Sequence, residues 1–255
     1  TEVVVAGARE QQLALGAGTS FSLQDIEGMP SIGRDIKDIA RIDPKIWIDA
    51  TNVDAMEIAG TNNKYNSITV DGIRESDDFG LNNNGYPSNR APVTLDAIEA
   101  FTVEVAPFDV QYSGFQGGTV NIVTKSGSND FHGSAWYVKN QDSWAGDRSK
   151  DRRINLNFDE FSYGATLGGP ILRDRLFFFL SYEKVERETP VNEGPAGAGF
   201  PVNVNQVSEA DFNQILAITQ SVYGYDAGGL ARSNTEEDER ILAKLDWQIT
   251  DDHRV

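Results

Sequence analysis

The chain has 255 residues, enough for one or two domains, and it contains no cysteine, which excludes disulfide bridges and thiolate metal sites. Its 39 acidic residues outnumber 22 basic ones, and the net charge of −17 repels nucleic-acid backbones, so we expect no nucleic acid partner. No apolar run approaches the roughly 18 residues that a membrane helix needs. A transmembrane β-barrel stays open, because its strands alternate between faces and average to an ordinary hydropathy.

The chain opens with a short segment that favours extended backbone. Its residues are Glu2, Val3, Val4, Val5 and Ala6. Three consecutive β-branched residues favour a strand, and an extended segment can add to the exposed sheet edge of a partner protein. The alternative is an ordinary edge strand of the domain that follows. A polar stretch rich in glycine and alanine comes next, and we assign residues 1–27 to this segment and a linker.

A small α/β domain is predicted for residues 28–127. Between residues 31 and 44, apolar side chains recur at helical spacing, which predicts a helix of two to three turns. These side chains are Ile32, Ile36, Ile39 and Ala40. Residues 64–73 form a predicted strand that is interrupted by a turn at Asp71-Gly72.

A polar loop follows over residues 75–92, without periodicity and rich in turn-forming residues. Its candidate ligand-facing residues are Asp77, Asp78, Asn82, Asn83, Asn84 and Tyr86. A solvated connector is the alternative. The oxygen atoms of this loop could ligate calcium, but their spacing matches no known calcium loop, so we predict no metal site here.

Two short apolar strands, at residues 95–105 and 117–125, end this domain. Gly117 and Gly118 open the second strand. Since glycine lacks a Cβ atom, the pair permits a positive φ or a close approach of another chain segment.

Longer strands begin near residue 130. In two of them apolar residues alternate with polar or small ones, and this period of two places each set on one face. The apolar set, expected to face lipid, is Phe161, Tyr163, Ala165, Leu167, Ile241, Ala243, Leu245, Trp247 and Ile249. The set expected to face inward is Glu160, Thr166, Lys244, Asp246 and Gln248.

The loop at residues 188–239 is predicted to carry a helix. Ser208 and Asp211 have the spacing of a capping box, and Gly224 is placed to end the helix. Its apolar stripe comprises Phe212, Ile215, Leu216, Val222 and Tyr223.

Several motifs of the chain resemble a known family. They are Gly60-Thr61-Asn62-Asn63-Lys64-Tyr65-Asn66, Val70-Asp71-Gly72-Ile73, Val105-Ala106-Pro107-Phe108-Asp109-Val110 and Gly117-Gly118-Thr119-Val120-Asn121-Ile122-Val123-Thr124-Lys125. Together they resemble the plug domain of TonB-dependent outer-membrane transporters, and the first and third resemble the Oar-like subgroup. Most members carry Arg-Gly-Pro where this chain has Val105-Ala106-Pro107. The arginine that can join a plug–barrel ion pair is therefore absent, and we expect no such pair.

The resemblance implies an α+β plug domain followed by antiparallel β strands of a large transmembrane β-barrel. Residues 128–255 would supply about four strands, whereas transporters of this kind need about 22. We therefore expect a fragment whose barrel is not closed. The implied location is the cell outer membrane, with the plug and N-terminus facing the periplasm.

The same resemblance implies that residues 2–6 are the TonB box. The implied partners are TonB with its inner-membrane energising complex, outer-membrane lipid and an unidentified extracellular ligand. The loop at residues 75–92 would face the outer vestibule. Neither a cofactor nor a metal is implied.

The predicted function is energised uptake of an unidentified ligand through a plugged barrel. One alternative is an outer-membrane protein of the same fold that acts in secretion or surface adhesion, and another is a soluble carbohydrate-binding β-protein. No nucleophile elbow, Walker loop, dinucleotide fingerprint or zinc-protease motif occurs in the chain. The two histidines, His132 and His253, are far apart in sequence, so we expect neither catalysis nor a histidine metal site.

Overall fold

The computed structural model describes residues 17–31, 33–50, 52, 54–77, 79–105, 107, 114–146, 148–149, 152–153, 158–250 and 253–254. Residues 2–6, Ile32 and Asp78 lie outside this set, as do most residues of the motif at 105–110. The chain divides into two compact units, one formed by residues 1–136, 164–183 and 240–255 and the other by residues 137–163 and 184–239. The helices of the described ranges are too short or too polar to cross a membrane.

The described elements are mostly strands. In chain order the strands are β1 (Ala17–Phe21), β2 (Ile46–Asp49), β3 (Ala55–Ile58), β4 (Ser67–Val70), β5 (Ile73–Arg74), β6 (Ile98–Val105), β7 (Gly118–Thr124), β8 (His132–Gln141), β9 (Arg148–Ser149), β10 (Arg152–Arg153), β11 (Asp159–Leu172), β12 (Leu176–Pro190), β13 (Glu193–Ala196), β14 (Val202–Ser208), β15 (Ser233–Thr250) and β16 (His253–Arg254). The α-helices are α1 (Leu23–Gly28), α2 (Ile36–Ala40) and α3 (Glu209–Tyr223).

The first sheet, which we call the plug sheet, is mixed and has the strand order β1-β6-β7-β4-β5. β4 and β7 are parallel, and the other neighbouring pairs are antiparallel. β2 and β3 form a separate antiparallel hairpin. The core under the plug sheet contains buried side chains of α2, β6 and β7, including Ile36, Ile39, Phe101, Val120 and Ile122.

The plug sheet begins earlier in the chain than the sequence predicted. β1 pairs with β6 from Ala17 to Phe21, and α1 follows directly, capped by Ser22. Residues 17–27 therefore form a strand of the plug sheet and most of its first helix, although their sequence was assigned to the linker. Glycine and alanine gave this segment a linker-like composition, but cross-strand pairing with β6 decided its structure.

The predicted helix at residues 31–44 is present but shorter, since α2 spans only Ile36–Ala40. Asp35 is its N-cap and accepts a hydrogen bond from the backbone N–H of Lys37. Arg34 has a positive φ of 51°, which a helix cannot accommodate, so α2 cannot extend toward residue 31.

The two glycine signals have different outcomes. Asp71 and Gly72 both have positive φ, 48° and 84°, which is the geometry of a tight hairpin turn between β4 and β5. Gly118 has no positive φ and instead permits close packing, because a Cβ atom there would lie 2.6 Å from Cγ2 of Ile58 and 2.8 Å from the carbonyl oxygen of Glu104.

The second sheet, which we call the wall sheet, has the order β16-β15-β12-β11-β8 and is open at both ends. A turn at residues 173–175 joins β11 to β12, and Asn129 fixes it by exchanging hydrogen bonds with Asp174 at 2.7 and 2.9 Å.

The alternation predicted for β11 and β15 is present. At positions 163, 165 and 167 and at the odd positions from 241 to 249 the side chain is exposed, and the intervening side chains are buried or half-buried. Phe161 alone of the predicted apolar set is half-buried. The exposed face is thus apolar and the covered face carries Thr166, Lys244 and Asp246, which is the reverse of a water-soluble sheet.

The predicted helix of the long loop is also present. α3 has the expected capping box of Ser208 and Asp211 and ends at Gly224, whose φ is 64°. Two short parallel strands that the sequence did not reveal, β13 and β14, precede it.

Candidate functional site

The contact between the plug sheet region and the wall sheet centres on Arg240 of β15. Its Nη1 donates to the carbonyl oxygens of Ala91 at 3.0 Å and Val93 at 3.5 Å, and its Nη2 donates to the carboxylate of Glu183 on β12. The side chains of Arg240 and Glu183 are 10% and 1% exposed. Charges so far removed from water need partners. Arg240 thus links two wall strands to the segment that leads into β6.

A second arginine, Arg34, lies on the plug side of the same region. It forms an ion pair with Asp96, and its guanidinium carbon lies 3.7 Å from the ring centre of Trp136 on β8. Burial lowers the pKa of Arg34, the carboxylate of Glu183 opposes that effect, and the charge of Arg240 adds to it. We call Arg34, Asp96, Glu183 and Arg240 the plug–wall charge cluster. Its two cations balance its two carboxylates.

Lys244 follows Arg240 on the same face of β15 and makes a separate polar contact with the plug. Its Nζ lies 3.6 Å from Oδ2 of Asp71 and donates to the carbonyl oxygen of Thr124 at 3.3 Å. Asp71 in turn accepts hydrogen bonds from the backbone N–H and the hydroxyl of Thr124. Lys244 therefore holds the hairpin turn of the plug sheet together with the end of β7.

An ion pair between the plug and the wall is present in this chain, although the pair that the usual arginine could form was not expected. The usual plug arginine is indeed missing from the motif at 105–110, but Lys244 on the wall and Asp71 on the plug form a pair with the opposite polarity. Sequence reasoning missed Arg34, Glu183 and Arg240 as well. Glu183 lies beside Lys184 and Arg240 follows the acidic run at residues 236–239, so the sequence offered no signal that singled them out.

A small cavity of about 180 Å³ lies next to the plug–wall charge cluster. Its lining is Val70, Glu75, Pro92, Val93, Thr94, Arg240, Ile241 and Leu242. Beside it, the hydroxyls of Thr94 and Ser181 lie 2.9 Å apart. The contact region is therefore polar and incompletely filled, unlike the apolar core of the plug sheet.

The loop at residues 75–92 contains two of the predicted ligand-facing residues in its interior. Tyr86 is fully buried, and its hydroxyl donates to Oδ1 of Asp35 at 2.7 Å. Asn84 is buried too, with its amide donating to the carbonyl oxygens of Ser88 and Asn89. Both side chains stabilise the loop and present no surface to a ligand.

Lys37 reinforces this interior. Its Nζ donates to the carbonyl oxygen of Asn84 at 3.3 Å and lies 4.2 Å from the ring centre of Tyr86. Burial lowers the pKa of Lys37, although the neighbouring Asp35 raises it. For Tyr86, burial and the charge of Asp35 raise the pKa well above its ordinary value, so the hydroxyl remains a donor.

The outer part of the loop has a different character. Asp77 is half-buried and accepts hydrogen bonds from the backbone N–H groups of Phe79 and Asn82, while Asn83 is exposed. Phe79 and Leu81 are 87% and 81% exposed and were not among the predicted residues. Among the side chains that the structure describes, no group of carboxylates and histidines is arranged to hold a metal ion.

A family model described as an outer membrane beta barrel domain matches residues 123–255, more than half of the chain. The chain belongs to this family. Its match starts at the end of β7 and covers the whole wall sheet, whose apolar face points outward. The outer membrane is therefore its location, and the soluble alternative is not favoured.

Two curated relatives narrow the family to TonB-dependent receptors. The TonB-dependent transporter Oar of Myxococcus xanthus is 30% identical over an alignment of 237 positions, which covers 87% of this chain and 20% of Oar. The probable TonB-dependent siderophore receptor PirA of Acinetobacter baumannii is 27% identical over an alignment of 264 positions, which covers 96% of this chain and 29% of PirA. The chain is thus an Oar-like TonB-dependent receptor sequence, and it spans less than a third of either relative.

Solved structures agree on the fold. The outer membrane transporter YddB from Escherichia coli superposes with a TM-score of 0.61 at 14% identity, over 92% of this chain and 31% of YddB. The PirA receptor from Acinetobacter baumannii gives a TM-score of 0.59 at 22% identity, over 97% of this chain and 31% of PirA. The α+β plug followed by strands of a large barrel is confirmed, and the relatives are transporters and receptors rather than enzymes.

Proposed function

We propose that this chain forms the plug and the first wall strands of a transporter that takes up a ligand across the outer membrane with energy supplied through TonB. The observation that carries the proposal is the two-faced strand β15. From residue 241 to residue 249 its odd positions are apolar and exposed, and its even positions 240 and 244 bring an arginine and a lysine to the plug. Such a strand fits a barrel wall that has lipid on one side and a plug on the other.

The plug is held to the wall by contacts that a modest force can break one at a time. The hydrogen bonds from Arg240 to the carbonyl oxygens of Ala91 and Val93 and the pair of Lys244 with Asp71 are polar, and Arg240 lines a cavity. Water entering this region can solvate each group as it separates, which lowers the cost of breaking the contact. An apolar interface would lack this property, since its exposed surface would oppose separation.

The proposed entry point for force is the segment of residues 2–6, which we infer to be the TonB-contacting strand. It precedes β1, which lies at the edge of the plug sheet and, within the described part of the chain, pairs only with β6. Besides this pairing, Thr19 donates to the carboxylate of Asp43. Tension on the N-terminal side therefore acts first on one edge strand, and the central strands of the plug sheet follow later.

The proposed ligand contact is the outer part of the loop at residues 75–92. Asp77, Asn82 and Asn83 supply polar groups, and Phe79 and Leu81 supply exposed apolar surface. Because PirA is named as a probable siderophore receptor, a siderophore is one candidate ligand for this chain.

The contact with TonB can be tested by disulfide trapping, because the chain has no cysteine of its own. A receptor with Val3→Cys, produced together with TonB that carries one cysteine in its periplasmic domain, should form a receptor–TonB disulfide. Adding Val4→Pro should abolish it, because proline removes a backbone donor from the pairing strand.

The matched control is Ser88→Cys, which lies on the exposed part of the loop at residues 75–92. This position should give no TonB disulfide. Equal trapping from positions 3 and 88, or trapping that survives Val4→Pro, would place the TonB contact elsewhere in the protein.

A further inference from the structure

The loop between β12 and β15 is a folded unit with its own small core. Phe200 and Ala198 are buried, and the guanidinium of Arg232 donates to the carbonyl oxygen of Ala198 at 2.9 Å and lies 5.0 Å from the Phe200 ring. Gly194 is required for this packing, because a Cβ atom there would lie 2.2 Å from the Phe200 ring. The loop therefore presents α3 in a defined orientation.

α3 has two apolar faces, and only one of them is used within the loop. The half-buried side chains Phe212, Leu216 and Thr219 share one side of the helix, and α3 packs against β13 and β14. Ile215, Ile218 and Val222 recur at i, i+3 and i+7 on another side and are 54%, 44% and 67% exposed. We call these three residues the α3 stripe. Loop packing explains the first face but not the stripe.

The segment of the chain that contains the α3 stripe is strongly acidic. Residues 184–239 contain ten acidic and three basic side chains, and α3 itself carries Glu209 and Asp211 and no basic residue. An anionic molecule, such as a lipopolysaccharide head group or an acidic chelate, would be repelled from this surface. A polypeptide with lysine or arginine beside an apolar face would be attracted.

The dimensions of the stripe also favour a polypeptide. Seven residues of helix rise about 10 Å, and three apolar side chains along that length match the way one amphipathic helix contacts another. The loop core already fixes α3. Binding of a partner therefore requires little further ordering of the receptor surface, and little binding free energy is lost to it.

We propose that the α3 stripe is a docking surface for a cationic, amphipathic polypeptide. The partner's apolar side chains cover Ile215, Ile218 and Val222, and its basic side chains face the acidic residues of the loop. This interaction is a function of the loop alone. It goes beyond the proposed transport and requires neither TonB nor movement of the plug.

The test uses the whole receptor in nanodiscs of zwitterionic phosphatidylcholine, labelled at Gln214→Cys with a dye that reports the polarity of its surroundings. The probes are two synthetic amphipathic helices about 18 residues long, identical in their leucine face and carrying either lysine or glutamate on the other face. We expect a saturable change in dye emission with the lysine peptide and none with the glutamate peptide. Raising the salt concentration should weaken the binding.

In the same labelled receptor, Ile218→Asn should lower the affinity for the lysine peptide by at least about tenfold. Ala217→Asn changes a neighbouring exposed position outside the stripe and should leave the affinity for the lysine peptide unchanged. Equal responses to the two peptides would overturn the charge complementarity on which the proposal depends. Unaltered binding by Ile218→Asn, or no saturable response to the lysine peptide, would overturn the docking surface itself.

Discussion

The roles of single residues in this receptor depend on the residues that they contact in the folded structure. Arg240 follows an acidic run at residues 236–239 and Glu183 precedes Lys184, yet each is a buried charge with a specific partner. Tyr86 and Asn84 stand in a loop of polar residues, yet both are buried and hold that loop in shape. At this scale, the residue type predicted the chemistry available, and the contacts determined its use.

Replacing Arg240 with methionine should weaken the attachment of the plug. The wall would lose the hydrogen bonds from Arg240 to Ala91 and Val93 of the plug. Glu183 would also keep a buried charge without its arginine, which costs the fold roughly 3–5 kcal/mol for a pair of this kind. Cells with Arg240→Met should become more sensitive to vancomycin, which is too large to cross an intact outer membrane, and Glu183→Gln should restore part of the barrier. Arg41→Met, which removes an exposed arginine paired with Asp38, is the matched control. Equal sensitivity of both variants would contradict this role.

Replacing Tyr86 with phenylalanine should loosen the loop at residues 82–90. The change removes only the hydroxyl that donates to Asp35. A hydrogen bond to a charged group contributes about 1.5–3 kcal/mol, so hydrogen exchange of these amides should accelerate roughly ten- to a hundredfold. Tyr65→Phe, at an exposed ring, should leave the exchange rates of this loop unaltered. Slow exchange in Tyr86→Phe would show that ring packing alone holds the loop.

At the scale of elements, end signals were more informative than periodicity. The apolar spacing at residues 31–44 predicted a helix twice too long, and the cap at Asp35 together with the positive φ of Arg34 set its actual start. For α3 the capping box and Gly224 coincide with the ends of the helix. Capping is local, since it satisfies backbone groups within one turn, so sequence alone can specify it.

The capping box of α3 should make this helix sensitive to acid. The hydrogen bonds from the Ser208 hydroxyl and backbone N–H lower the pKa of Asp211 below its ordinary value of 3.8. The stabilisation is therefore complete above that value and is lost as the pH falls through the lower pKa of the folded state. Hydrogen exchange in residues 209–223, corrected for intrinsic rates, should show less protection at about pH 2 than at about pH 5.

The variant Ser208→Ala provides the comparison for that experiment. Its α3 should be less protected at about pH 5 and should lose less on acidification, because the main cause of the lowered pKa of Asp211 is gone. If wild-type α3 were equally protected at both pH values, the packing of its Phe212 face would be what sets its stability.

For the molecule as a whole, the informative feature is which side of the wall strands is apolar. A water-soluble protein buries its apolar residues, whereas β15 exposes Ile241, Leu245 and Trp247 and covers Asp246. Lipid accounts for this reversal, and the family match agrees with it. The plug then occupies the covered side of the wall strands in the unit that contains residues 1–136, 164–183 and 240–255.

Placing a charge on the lipid face should hinder assembly. Leu245→Arg puts a cation at an exposed apolar position, at a cost of roughly 2–4 kcal/mol near the middle of the bilayer. The folded fraction, measured as the heat-modifiable band of the receptor on a gel, should fall. Gln248→Arg, on the covered face, is the matched control and should assemble normally. Normal assembly of Leu245→Arg would show that this position does not face lipid.

The sequence by itself determined those features that arise from local chemistry. The turn at Asp71-Gly72, the caps of α3 and the two faces of β11 and β15 each depend on backbone geometry or strand pleat within a few residues. The plug motifs identified the family through resemblance, and the comparisons confirmed it. Residues 2–6 lie outside the described part of the chain, so their contact with TonB remains a prediction.

Only the tertiary structure decided which distant residues meet. β1 is part of the plug sheet because it pairs with β6, although the composition of β1 favours a linker. Arg240 reaches Ala91 across about 150 positions of sequence, and Lys244 reaches Thr124 across about 120. Such pairings depend on how strands register and pack, and a residue's own neighbours in sequence carry no record of them. A buried charge requires a partner, and only the tertiary structure shows which residue that partner is.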